Sequence, residues 1–154
     1  MDAIGALERA IRLAGGNVAK GGGPFGAVLV APDGRWFHGT NRVTAVPDPT
    51  AHAEVLAIRA AARELRTADL SGSTLYASCE PCPMCLAAAL WARVDRLVHA
   101  ATRQDAANAG FDDAEFYRQL RGQHVTALVQ EHHPHPRRLT PFAIWAEYEG
   151  RTPY

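Results

Sequence analysis

The chain has 154 residues with 16 basic and 16 acidic side chains, a balance that argues against the basic surface typical of nucleic-acid-binding proteins. Lys20 is the single lysine, and the arginines are scattered along the chain. Hydrophobic residues make up 47% and charged residues 21%, which is typical of one globular domain with its own core. We therefore expect residues 1–154 to form a single domain that acts on a small neutral substrate.

Neither a membrane span nor a secretion signal is predicted. No apolar run approaches membrane-spanning length, and the chain begins with the acidic pair Met1-Asp2. Three cysteines, two of them in one short motif, are typical of a protein in a reducing compartment. We expect a cytoplasmic protein.

The N-terminal part predicts a helix followed by a hairpin. The helix runs from Asp2 to about Gly15, and its predicted buried face consists of Ile4, Leu7, Ile11 and Ala14. A glycine-rich run, 20–26, lets the backbone approach a ligand closely, and its Phe25 is either a pocket wall or a core residue. Strands 27–31 and 35–40 flank a Pro-Asp-Gly turn and end beside Asn41.

The rest of the chain alternates helices and strands. Asp48-Pro49 starts a helix that continues to Leu65, and Pro83 opens another that runs to about Val94. The other predicted elements are strand 74–78, strand 96–101, loop 102–108, helix 114–121, strand 125–130 and helix 140–150. This order predicts an α/β fold, a three-layer α/β/α sandwich with a five-stranded mixed sheet.

Two short motifs predict a catalytic zinc site. His52 and Glu54 form a His-x-Glu unit, and Cys82 with Cys85 forms a Pro-Cys-x-x-Cys unit. Two thiolates and one imidazole suit Zn²⁺ and leave a fourth position for water, whose pKa the metal lowers. A carboxylate beside that water can carry its proton to a leaving nitrogen. Both motifs fall at predicted helix N-termini, where the helix dipole favours thiolates.

A purely structural zinc site is the alternative interpretation. It would need a fourth protein ligand, and Cys79 is the obvious candidate. Such a site leaves the spacing of Glu54 from His52 unexplained, so we favour the catalytic interpretation.

Other polar residues are ambiguous from local pattern alone. Asn41 is either a turn residue or a substrate contact, and Asp113 belongs to an acidic pair that can cap the following helix. His99 is predicted in the core, because its neighbours are apolar. The segment His132 to Pro136 is predicted to be a solvated loop.

The chain resembles the cytidine-deaminase-like superfamily in its runs Asp48–Glu54, Cys79–Cys85 and Gly23–Val28. Within it, the chain is most similar to the small, zinc-dependent bacterial guanine deaminases. The resemblance spans nearly the whole chain, and its more selective matches are Trp91-Ala92-Arg93, Asp105-Ala106-Ala107, Gly110-Phe111-Asp112-Asp113 and Tyr154.

The resemblance implies roles for individual residues. His52, Cys82 and Cys85 would bind Zn²⁺, and Glu54 would transfer protons. The substrate-binding residues would be Asn41, Asp113, Phe25, Trp91 and Tyr154, with the second acid of the pair contacting the purine rather than serving only as a cap. The tail, about 139–154, would close the active site, and in the bacterial enzymes two subunits of a homodimer exchange this segment.

The activity implied by the resemblance is hydrolysis of guanine to xanthine and ammonia. The nearest alternative is a guanosine deaminase or a related nucleobase or aminotriazine deaminase. A tRNA adenosine deaminase shares the zinc motifs, but the neutral charge argues against a polyanionic partner.

Overall fold

A computed structural model describes residues 3–123, 128 and 130–153. The helices are α1 (Ala3–Val18), α2 (Ala53–Leu65), α3 (Pro83–Trp91), α4 (Arg103–Asn108), α5 (Asp113–Leu120) and α6 (Thr140–Glu147). The strands are β1 (Gly26–Val30), β2 (Trp36–Thr40), β3 (Thr74–Cys79) and β4 (Arg96–Ala101). In the described ranges, no helix is both long and apolar enough to cross a membrane.

The strands form a mixed sheet in the order β2-β1-β3-β4. Strand β1 is antiparallel to both of its neighbours, whereas β3 and β4 are parallel. The mixed sheet was predicted, but over the described residues it has four strands and not five. The strand expected at 125–130 falls mostly on residues 125–127 and 129, which lie outside the described ranges.

The sheet carries helices on both faces, and two glycines show how closely they pack. A Cβ atom on Gly26 would lie 2.7 Å from the backbone nitrogen of Ala14 in α1. A Cβ atom on Gly39 would lie 2.7 Å from the backbone nitrogen of Ala57 in α2. Because Gly39 pairs with Ala27, the residue after Gly26, the two glycines face opposite sides of the sheet. The described elements therefore form the predicted three layers.

The core between the sheet and α2 combines large strand residues with small helix residues. Leu29 and Leu75 are fully buried, and the alanines of α2 that face them are Ala53, Ala57 and Ala61, each 0% exposed. Small side chains let the helix backbone approach the sheet closely. This approach places the first turn of α2 directly beside the end of β2.

Helix α1 packs through a face that only partly matches the predicted one. Ala14 is buried as predicted and Leu7 is partly buried, but Ile4 is 67% exposed and Ile11 is 47% exposed. The rest of the buried face consists of Ala6 and Ala10. Alanine at every fourth position permits the close contact at Gly26, which the larger isoleucine would prevent. The helix also continues past Gly15-Gly16 to Val18, because tertiary packing outweighs the low helix propensity of glycine.

Three further differences lie near the C-terminal part. A short helix, α4, replaces the predicted loop, because Thr102 and Asp105 form a capping box. His99 is exposed and not in the core, since β4 is the edge of the described sheet. Every described residue from 130 to 153 is exposed, including the α6 residues Phe142 and Trp145, which were expected to face inward.

Candidate active site

The two sequence motifs meet at the N-termini of α2 and α3, as predicted. His52 is the N-cap residue of α2, and Cys82 is the N-cap residue of α3. The Cys82 Sγ accepts a hydrogen bond from the backbone nitrogen of Cys85 at 3.5 Å, and Pro83 fixes the first turn. Both helices thus direct the positive end of their dipole toward the same point, which favours negatively charged ligands there.

His52, Cys82 and Cys85 form a compact cluster of potential metal ligands. Nδ1 of His52 lies 3.6 Å from Sγ of Cys82 and 3.4 Å from Sγ of Cys85. One ligand atom from each of the three residues lies within 4.8 Å of the other two. One imidazole nitrogen and two sulfurs at these separations match the donor set of a three-ligand zinc site.

Glu54 is buried next to this cluster without belonging to it. Its side chain accepts a hydrogen bond at Oε2 from Sγ of Cys85 at 3.5 Å, and the residue is 6% exposed. Burial raises the pKa of Glu54 above its ordinary value. A carboxyl group with a raised pKa beside a metal site is suited to accept a proton and release it again.

The hydrogen bonds among the sulfurs also shift their pKa values. The hydrogen bond from Cys85 lowers the pKa of Cys82 to about 4, and the same contact raises the pKa of Cys85. The hydrogen bond with Cys82 raises the pKa of His52. Cys79 differs, because burial raises its pKa to about 11 and its Sγ donates to the Thr102 carbonyl at 3.5 Å. Cys79 therefore lies outside the ligand cluster.

A cavity of about 250 Å³ lies against this cluster. His52, Glu54 and Cys82 line its metal side. The rest of its wall consists of Gly23, Phe25, Asn41, Val43, Thr44, Glu80, Phe111 and Asp113. In this part of the wall, the cavity thus combines aromatic side chains with one amide, Asn41, and two carboxylates, Glu80 and Asp113, as a small heterocycle would require.

A buried amide, Asn17, holds the Asn41 wall of the cavity. Its Nδ2 donates to the Asn41 carbonyl at 2.7 Å and to the Gly23 carbonyl at 2.9 Å. Asn41 Oδ1 in turn accepts from the backbone nitrogen of Val43 at 3.2 Å, as in a turn, and Asn41 is 9% exposed. Asn41 is therefore both a turn residue and part of the cavity, and Asn17 joins it to the glycine-rich run.

Phe111 and Asp113 also line the cavity. The rings of Phe25 and Phe111 meet edge to face with centroids 4.8 Å apart, so Phe25 both lines the cavity and packs against the core. Asp112 makes no side-chain cap hydrogen bond at the start of α5. Asp113 faces the cavity, and burial raises its pKa.

Comparison with known proteins agrees with this geometry. Residues 3–101 match the family described as the cytidine and deoxycytidylate deaminase zinc-binding region. The chain belongs to this deaminase family.

Three relatives show how far the similarity extends. Guanine deaminase from Bacillus subtilis is 43% identical over 96% of both chains. Its crystal structure superimposes with a TM-score of 0.93, covering 100% of this chain and 99% of that one. Guanine deaminase from Nitrosomonas europaea has a TM-score of 0.69 at 33% identity, covering 81% of this chain and 75% of that one. A tRNA-specific adenosine deaminase from Aquifex aeolicus is 40% identical over 62% of this chain and 63% of its own length.

The cofactor of this deaminase is zinc. The matched family region is a zinc-binding one, and the one-nitrogen, two-sulfur donor set of His52, Cys82 and Cys85 fits that metal. The thiols of Cys82 and Cys85 are buried and the His52 side chain is partly buried. Burial protects the two thiols from oxidation, which would compete with metal binding.

One of the expected substrate-binding residues, Trp91, does not line this cavity in the deaminase chain. Trp91 is 62% exposed at the far end of α3, where it lines a surface pocket with Pro141, Phe142 and Trp145. A helix rises about 1.5 Å per residue, so the eight steps from Pro83 carry Trp91 roughly 12 Å from the metal ligands. Tyr154 lies outside the described residues.

Several cavity residues of the deaminase were not identified from sequence. Phe111 lies in the Gly-Phe-Asp-Asp run, so an aromatic residue next to a candidate acid was the available signal. Val43, Thr44 and Asn17 carry no local signal, because ordinary loop and helix positions look the same whether or not they border a cavity. The exposed histidines 132, 133 and 135 belong to no metal cluster in the described ranges.

Proposed function

We propose that this zinc-dependent deaminase hydrolyses guanine to xanthine and ammonia. The observation that carries the substrate assignment is the match to Bacillus subtilis guanine deaminase over 96% of both chains. That match extends beyond residue 101, where the zinc-binding family region ends. The tRNA-specific relative covers only 62% of the chain. Shared zinc motifs alone would not separate these two substrates, whereas the full-length similarity favours guanine.

Glu54 is the proton carrier of the proposed reaction. Zinc bound by His52, Cys82 and Cys85 supplies the Lewis acidity that activates a water molecule. The Glu54 carboxylate would accept one proton from the attacking water and deliver it to a ring nitrogen of guanine. It would then accept the remaining hydroxyl proton and deliver it to the amino group, which leaves as ammonia. Burial of Glu54 keeps its side chain pointed at the site and away from bulk solvent. The overall balance is guanine plus water to xanthine plus ammonia.

Asn41 and Asp113 bind the polar edges of the base. An amide offers both a donor and an acceptor, and a carboxylate accepts from ring or amino N–H groups. These two side chains line the cavity together with Phe25 and Phe111, whose rings contact each other edge to face. The base then lies in a polar and aromatic frame beside Glu54.

The full-length match to a guanine deaminase favours the free base over the nucleoside. The cavity of about 250 Å³ has the size of a site for a small heterocycle. A guanosine deaminase or an aminotriazine deaminase is the alternative within the same chemistry.

A tRNA substrate is disfavoured by equal numbers of basic and acidic residues, which leave no net positive charge for a polyanion. None of the three cysteines forms a disulfide, which suits a cytoplasmic enzyme.

The experiment that tests the substrate is parallel measurement of ammonia release from guanine, guanosine, adenosine, cytosine and cytidine with the zinc-loaded protein. Turnover of guanine at least about 100-fold above guanosine is expected, because the relative that matches nearly the full chain is a guanine deaminase. Faster turnover of guanosine would reject the free-base assignment. Turnover of adenosine within tRNA, but not of guanine, would replace it with the RNA-editing alternative.

We also propose that the C-terminal segment, 139–153 and Tyr154, closes the cavity of a second copy in a homodimer. Every described residue of this segment is exposed, and Leu139, Phe142 and Ile144 are each more than 60% exposed. A segment with so much exposed apolar surface gains stability by packing against another chain. Tyr154 would then contact the base in the neighbouring subunit.

Subunit complementation tests this exchange. A chain truncated after residue 138 keeps Glu54 but lacks the closing segment, and a full-length Glu54→Gln chain keeps the segment but lacks the proton carrier. Each is expected to be inactive alone, and refolding them together is expected to restore up to about a quarter of the activity, because half of the randomly paired dimers contain one complete site. Inactivity of the mixture would place the closing segment on its own subunit.

A further inference from the structure

Glu80 lies between Cys79 and the ligand Cys82, and its carboxylate is held by Arg103 at the start of α4. Glu80 Oε1 accepts from Nη2 of Arg103 at 2.6 Å and from its Nε at 2.9 Å. Glu80 Oε2 accepts from the backbone nitrogen of Arg103 at 2.8 Å. The two side chains are 18% and 32% exposed. Three short, charge-assisted bonds with little solvent competition define the position of this loop residue.

The next helix is attached to the same loop through Tyr117. The guanidinium carbon of Arg103 lies 3.8 Å from the centroid of the Tyr117 ring, a cation–π distance. The Tyr117 hydroxyl donates to the Pro81 carbonyl at 2.6 Å. Helix α4 is therefore bonded to Glu80 and helix α5 is bonded to Pro81. These are two consecutive residues of the segment that carries the metal ligands.

Tyr117 follows Asp113 by four residues on α5, so the two side chains lie on the same face of the helix, one turn apart. A hydrogen bond that fixes Tyr117 against Pro81 also fixes the rotation and distance of Asp113 relative to Cys82. Asp113 and Glu80 line the same cavity, so the contacts between Glu80, Arg103 and Tyr117 lie next to the substrate site.

We infer that the Glu80–Arg103–Tyr117 cluster is a positioning device that couples the metal-binding loop to α5 and thereby aims Asp113 at the base. The inference rests on the proposed function, because it assigns Asp113 to substrate binding. It adds three residues that touch neither the metal cluster nor the transferred proton. Displacement of Asp113 weakens binding of the substrate and of the transition state equally, so the cluster controls KM more than kcat.

Tyr117→Phe is the sharpest single test, since it removes one hydroxyl and keeps the ring beneath Arg103. Loss of one hydrogen bond is expected to raise the KM for guanine about three- to tenfold. The value of kcat is expected to stay within about twofold, because Asp113 contributes uniform binding. Bound zinc is expected to remain unchanged. A KM equal to that of the wild type, or a fall in kcat with unchanged KM, would overturn the inference.

Arg103 provides a second test with a matched control. Arg103→Gln removes the charge-assisted bonds, and an increase in KM of about tenfold or more is expected. Arg103→Lys keeps the charge but loses the planar, bidentate geometry, so an intermediate increase is expected. Arg118→Gln is the control: Arg118 forms an exposed ion pair with Glu115 on the same helix, at 3.0 Å, without contacting the metal-binding loop. The KM of the Arg118→Gln variant is expected to equal that of the wild type.

A double-mutant cycle separates positioning of Asp113 from general loosening of the fold. In an Asp113→Asn background, Tyr117→Phe is expected to raise KM by less than about twofold, because the group that it positions is already disabled. Independent, multiplicative effects would contradict the coupling.

Hydrogen exchange at residues 111–116 measures the same coupling without any substrate. Faster exchange is expected in Tyr117→Phe than in Arg118→Gln, and equal exchange would overturn the inference. Absence of guanine turnover by the wild type would instead overturn the proposed function alone.

Discussion

Glu54→Gln is expected to keep its zinc and to lose turnover by about a thousandfold, the middle of the range for removal of a positioned proton carrier. Glutamine has nearly the same shape, so the buried space beside Cys85 stays filled. An amide cannot accept the proton of the attacking water, and the reaction loses its route for protonating the leaving amine. Zinc content by atomic absorption and ammonia release with saturating guanine measure the two effects separately.

The matched control for this substitution is Glu64→Gln, on the same helix. Glu64 is exposed and pairs with Arg63 at the surface, so the identical chemical change is expected to leave turnover unchanged. Glu54→Gln activity within tenfold of the wild type would remove Glu54 from the mechanism. Loss of zinc from this variant would instead make Glu54 a ligand.

Cys85→Ser is expected to abolish stable zinc binding, and turnover is expected to fall by about three orders of magnitude or more because no activated water remains. Cys85 is 0% exposed, and its sulfur lies 3.4 Å from Nδ1 of His52. A hydroxyl group is a much poorer zinc ligand than a thiolate at neutral pH. Zinc content after dialysis against a weak chelator, followed by the guanine assay, provides the measurement.

Cys79→Ser is the control that also tests the structural interpretation of the zinc site. Cys79 is buried like Cys85, but its sulfur lies outside the ligand cluster and contacts the Thr102 carbonyl. Full zinc content and activity near that of the wild type are expected. Loss of zinc from Cys79→Ser would support a closed four-ligand site, which has no open position for a water molecule.

The metal site could be predicted from sequence because each of its two motifs consists of residues that are close together in the chain. His52 and Glu54 are two residues apart, Cys82 and Cys85 are three apart, and donor chemistry restricts which metal suits them. That the two halves meet depends on β2 and β3, which are both antiparallel to β1 and therefore end at the same edge of the sheet, and on α2 packing through alanines. A general α/β pattern only suggests this arrangement. The prediction of both motifs at helix N-termini was correct for the same local reason.

The features that were predicted incorrectly depend on long-range packing. The isoleucines of α1 have the right spacing for a buried face, yet the alanines are buried because Gly26 lets the helix approach closely. Helix α4 was predictable in principle from the Thr102 and Asp105 capping box, but its polar composition favoured a loop. Trp91 illustrates a different limit, since resemblance to a motif does not specify which pocket, or which subunit, a side chain faces.

The close contact at Gly39 divides the molecule into a part that tolerates little change and a part open to variation. Backbone lies against backbone where α2 crosses β2, so a side chain introduced there would displace His52 and Glu54 together. The cavity wall at 41–44 and 111–113 belongs instead to segments between elements or at the first turn of α5. Libraries that vary these wall positions can therefore be screened for activity on new aminoheterocycles, while His52 and Glu54 keep their positions.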